Sequence, residues 1–86
     1  MTSIQIRLAR AQTTAALAEA GLRAAEVLET AVYDPDTRMY VVQVPQDACL
    51  AVRDSLHKAQ QAMAAADPEC RVYTAHFQRA MTALIS

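Results

Sequence analysis

Apolar and polar positions change period along this chain, and the changes mark its elements. From Asp47 to Ala66, Cys49, Val52, Leu56, Ala59, Met63 and Ala66 recur by threes and fours. That spacing is one face of an amphipathic helix. Arg53, Asp54, His57, Lys58, Gln60 and Gln61 fall off this seam, with Asp54 and Lys58 placed as a favourable i,i+4 pair.

Between Val27 and Val44 the pattern changes. Two runs rich in β-formers flank Asp34-Pro35-Asp36-Thr37, and this reads as a β-hairpin. Pro35 suits position i+1 of a type I turn, and Asp34 can accept backbone N–H groups as an Asx-turn. Pro45, which lacks a ladder N–H, ends the second strand.

The ends of the chain are open to two readings. Ile4, Ile6 and Leu8 alternate with Gln5, Arg7 and Ala9, as in a strand. The same residues also start a helical seam of Ile4, Leu8, Ala11, Ala15 and Ala18, so a helix over 3–20 is expected, ending at Gly21 as a left-handed C′ residue. Cys70, Tyr73, Phe77, Ala80 and Leu84 predict a helix over 68–84. Asp67 would be its N-cap and Pro68 its first residue. Arg71–Thr74 has β-propensity, and 71–77 is the alternative strand.

One small α+β domain over 1–86 follows, with the order α-β-β-α-α: a two-stranded antiparallel hairpin packed with two to three helices. The alternative is a ferredoxin-like β-α-β-β-α-β sandwich with strands at 4–9 and 71–77. A bare hairpin is marginal in water and needs further strands or a cover. Pairing Tyr33 with Arg38 puts Tyr33, Tyr40, Val42 and Val44 on one face. Val32, Met39, Val41 and Gln43 then lie on the other. Neither face is cleanly polar, so one should meet the helices and the other should be covered by the chain itself, a second copy or a partner.

Composition narrows the function classes. The chain has 86 residues and is 53% apolar, but 19 of those residues are alanines, so large core side chains are scarce. A thin core of this kind favours self-association. Net charge is −1, which gives no overall field toward nucleic acid or anionic membrane. The charge is uneven, however: residues 1–23 sum to +2, 24–47 to −4 and 48–86 to +1. The hairpin is the acidic segment. No apolar run approaches the roughly 20 residues of a membrane span. Cys49 and Cys70 fit a reduced protein, and the cytoplasm is expected.

Candidate chemistry is thin. Cys49 and His57 are separated by eight helical residues, about 12 Å along the axis, too far to share a metal. No Cys-x-x-Cys spacing exists, and no metal or cofactor is expected. Ser55 and His57, at i,i+2, point to different sides of the helix. With one glycine the chain has no phosphate-cradling loop. An enzyme is the least expected class.

The leading expectation is a non-enzymatic protein-interaction module, an adaptor or an inhibitor of the phage or mobile-element type, acting as a homodimer or on a partner protein. Its contact residues would be Tyr33, Asp34, Asp36, Arg38, Tyr40 and Val42, since Tyr and Arg are enriched at contact surfaces. Two alternatives stand beside it. One is a ligand-sensing ferredoxin-like domain. The other, less expected, is a weak nucleic-acid binder using Arg7, Arg10, Arg53 and Arg79.

Overall fold

The chain begins with a strand, β1 (Ser3–Leu8), where a helix was expected. In the computed structural model, which describes residues 2–67, 69 and 71–85, Ile4, Ile6 and Leu8 form the inner face of β1. They lie opposite Val44, Val42 and Tyr40 of β3 (Met39–Pro45), in an antiparallel ladder. Ile6 and Leu8 are fully or almost fully buried. Burying these large side chains against a distant strand outweighs the helix propensity of Arg and Ala, which is under about 1 kcal/mol per residue.

The first helix is therefore shorter than expected, α1 (Arg10–Ala18). Ala9 precedes it and has no side-chain acceptor to offer. The start is closed from inside the helix instead: the Ala9 N–H donates to Gln12 Oε1 at 2.8 Å, the reciprocal half of a capping box. Gly21 is not a left-handed C′ residue. With φ −74° it is the extended residue before a second helix, α2 (Leu22–Leu28).

This helix displaces the expected start of the hairpin. Ala24, Val27 and Leu28 make a helical i,i+3,i+4 face and are buried. The Thr30 Oγ1 and N–H both donate to the Val27 carbonyl and close the helix. The hairpin begins only at β2 (Val32–Asp34), which pairs with β3. Tyr33 lies opposite Tyr40 and Asp34 opposite Met39, two residues from the expected Tyr33–Arg38 pairing. A shift of two keeps every side chain on its expected face. The loop is Pro35–Arg38, and Arg38 takes φ 60° while its N–H donates to the Asp34 carbonyl at 2.8 Å. Asp34 organises the turn as expected: Oδ1 accepts the Asp36 N–H and Oδ2 the Thr37 hydroxyl, each at 3.0 Å.

After a short 3-10 turn at Gln46–Ala48 comes α3 (Cys49–Ala66). Its expected seam packs inward from Cys49 through Ala59, Met63 is half-buried and Ala66 is exposed. Asp54 and Lys58 form the expected pair at 3.2 Å. The last element, α4 (Arg71–Ile85), is helical throughout, so the alternative strand at 71–77 is not formed. Phe77, Ala80, Met81 and Leu84 are its buried residues. Pro68 and Cys70, the expected helix-start proline and second cysteine, lie outside the described residues.

The order is thus β-α-α-β-β-α-α, an α+β fold with sheet order β1-β3-β2. Neither expected arrangement is met in full. The sheet has the third strand that the helix-covered hairpin lacked, and a helix runs where the ferredoxin-like alternative needed a last strand. α1 and α3 pack on each other, α2 packs on α3 and β3, and α4 runs along β1 and α3. One core gathers Leu8, Leu28, Val42, Val44, Val52, Leu56 and Phe77.

Candidate interaction surface

Strand parity separates the two faces of the sheet. Ile6, Leu8, Val42 and Val44 point into the helices and are buried. Their neighbours point the other way: Gln5 and Arg7 on β1, Met39, Val41 and Gln43 on β3, Val32 and Asp34 on β2. No helix lies over this second face among the described residues. Val32 is 67% exposed, and Met39 and Val41 are half-exposed. Gln43 Nε2 donates to Gln5 Oε1 at 2.9 Å, a polar cross-strand pair beside the apolar centre.

The six residues expected to bind a partner fall in three places. Asp34, Asp36 and Arg38 belong to the exposed hairpin turn. Tyr33 and Tyr40 are cross-strand neighbours with ring centroids 5.3 Å apart, edge to face. They stand at the turn end of the helix-side face. Tyr33 is 48% exposed, and Tyr40 borders a shallow hollow with Arg10, Thr13 and Leu17. Val42 has no exposed surface. It lies under the helices, with no surface to offer a partner. The structure therefore divides the six among the turn, the helix-side face and the core, while Val41, next to Val42 in sequence, stands on the open face.

A feature not anticipated from the sequence adjoins the open face. A groove of about 360 Å³ runs between β1, the hairpin turn and α4, lined by Gln5, Arg7, Thr37, Met39, His76 and Arg79 among others. Two guanidinium groups and an imidazole border it, and no carboxylate does. Neither Arg7 nor Arg79 takes part in the ion pairs formed among the described residues, which join Arg23 to Glu26 and Asp47, and Lys58 to Asp54. His76 and Arg79, three apart on α4, share a face beside the apolar seam. That spacing was visible in the sequence, but the position of α4 along β1 was not. Of the four arginines considered for nucleic acid, Arg7 and Arg79 meet here, while Arg10 lines the hollow beside Tyr40.

The catalytic candidates are accounted for structurally. Ser55 is buried, and its hydroxyl donates to the Ala16 carbonyl at 2.6 Å, while His57 is exposed on another side of α3. Asp54 turns to Lys58. Cys49 is buried, with Sγ 3.6 Å from the Pro45 carbonyl oxygen. Among the described residues no three His, Cys, Asp or Glu side chains gather as metal ligands, and no helix is long and apolar enough to cross a membrane.

What the geometry offers is a surface: a mixed sheet face with an apolar centre and, at its turn end, an acidic hairpin turn beside a cationic groove that reaches to β1 and α4. No protein-family model, curated protein or solved structure matches the chain.

Proposed function

We propose that this chain is a small, non-enzymatic protein-interaction module, an adaptor or inhibitor, that docks on another protein through the open face of its sheet. The supporting observation is the one-sided packing. Helices bury one face, while Val32, Met39 and Val41 stand on the other. An antiparallel sheet tolerates water on one face when that face is polar. Here the centre of the face is apolar, and Gln5, Gln43, Arg7 and Asp34 rim it as polar side chains rim a contact surface.

The ligand-sensing alternative rested on strands at both 4–9 and 71–77. Only the first exists, so half of its basis is gone.

The test compares capture by the intact chain with capture by Val41→Lys. Val41 is only half-buried on the open face, so the variant should keep its fold, as circular dichroism would show. An identified partner bound by the first and lost by the second supports the reading. Equal binding of the same partner by both would overturn it.

A further inference from the structure

The open face carries unlike charges across its turn end. On the β1 side, Arg7, His76 and Arg79 border the groove. On the β2 side the turn carries Asp34 and Asp36. The asymmetry extends to whole segments, since residues 1–23 sum to +2 and 24–47 to −4. One surface thus holds both halves of a complementary pair, which is the requirement for an isologous contact between identical chains.

We propose that the open face is covered by a second copy of this chain, with the acidic hairpin turn of each copy set into the cationic groove of the other. This deepens the docking reading above and rests on it. Two sheets stacked face to face about a two-fold axis parallel to the strands keep their position along the strand and exchange edges. β1 of one copy then lies over β2 of its partner. The groove sits at the turn end of the sheet, since Thr37 of the same chain lines it together with Arg7. The partner's turn therefore arrives at the height of the groove. Val41 and Met39 of the two copies meet at the centre. A two-fold axis across the strands would instead set β1 on β1 and bring Arg7 toward Arg7, which the charges oppose.

Lateral strand addition is a weaker competitor for this chain. α4 runs along β1, and β2 is three residues long. The face, rather than an edge, is the broad surface on offer.

The experiment is sedimentation of the full chain at low and high salt, with two charge-reversed forms. The groove form carries Arg7→Glu and Arg79→Glu, and the turn form carries Asp36→Lys. All three residues are exposed, so neither form should lose its fold. The intact chain should dimerise at micromolar to submillimolar concentration, more weakly in high salt. Each altered form alone should dimerise about tenfold more weakly, because position 36 then meets a groove of like charge in both reciprocal contacts. Mixed in equal amounts, the two forms should associate again, because position 36 then meets a groove of opposite charge in both contacts of the mixed pair. An intact chain that stays monomeric at high concentration and low salt overturns the proposal, as does a mixture no more associated than its parts. If the chain is monomeric yet still loses an identified partner on Val41→Lys, self-association falls and the docking surface stands. If the dimer forms and Val41→Lys leaves it unchanged, the docking surface falls as well.

Discussion

Ser55 Oγ donates to the carbonyl oxygen of Ala16 at 2.6 Å, a bond from the middle of α3 to the last turn of α1. Ala16 needs it because the N–H of Ala20, four residues on, goes to Leu17 instead. The carbonyl is one of those that a helix end leaves unpaired, and α3 supplies the donor. Ser55→Ala should cost about 1–3 kcal/mol, the penalty of a buried acceptor left without a partner. Denaturant unfolding would show it as a lower midpoint at unchanged slope, and an unchanged midpoint would contradict the role.

Gln12 is fully buried, and while its Oε1 takes the Ala9 N–H, its Nε2 finds no acceptor among the described residues. Gln12→Glu would keep the acceptor and replace the two amide N–H groups by a single hydroxyl while the carboxyl is neutral. It would also place a carboxyl where burial opposes ionisation and raises its pKa above the ordinary value of about 4.3. Below that value the group is protonated in folded and unfolded chains alike, and the variant should have its full stability. As pH rises the unfolded chain ionises first, and stability should fall until the folded pKa is passed. Thermal unfolding of variant and parent at about pH 4 and about pH 7 checks this, since the variant's deficit should be larger at neutral pH.

Arg38 occupies the left-handed region at φ 60°. A side chain there costs about 1–2 kcal/mol. Glycine removes that cost but gives up roughly 0.5–1 kcal/mol in chain entropy. Arg38→Gly should therefore stabilise by about 0.5 kcal/mol. A clear loss of stability would show that the Arg38 side chain is held by something other than the turn.

Adjacent valines on β3 should respond oppositely to lysine. Val42 is fully buried, and Val42→Lys should cost more than about 3 kcal/mol by forcing a charge into the core. Val41→Lys, on the other face, should stay within about 0.5 kcal/mol of the parent. Equal effects would mean that the register of β1, β3 and β2 is wrong.

What the sequence disclosed was mostly local. The α3 seam lies within one helix and could be followed from Cys49 to Met63. The turn chemistry of Asp34 and Pro35 lies within four residues. The faces of the hairpin were legible even though its register was not, because a slip of two residues preserves parity. Residues 4–8 fit both a strand and a helix because alternation and helical spacing share Ile4 and Leu8, and the deciding partner, β3, lies far along the chain. Val27 and Leu28 were misread because β-propensity hid a helical face that only α3 reveals. The groove joins Arg7 to Arg79 near opposite ends of the chain, and nothing short of the fold could bring them together.

The position of α4 has a consequence for the chain before that helix docks. β1 has a hydrogen-bonded neighbour on one side only, and its alternating Ile4, Ile6 and Leu8 make it a template for further strands. α4 runs along β1 and narrows access to that strand. A chain that has not yet folded its last helix, or has been shortened to lack it, presents a bare strand edge and is the form expected to aggregate. On this view the C-terminal helix is a guard against fibril-like growth as much as a piece of the core.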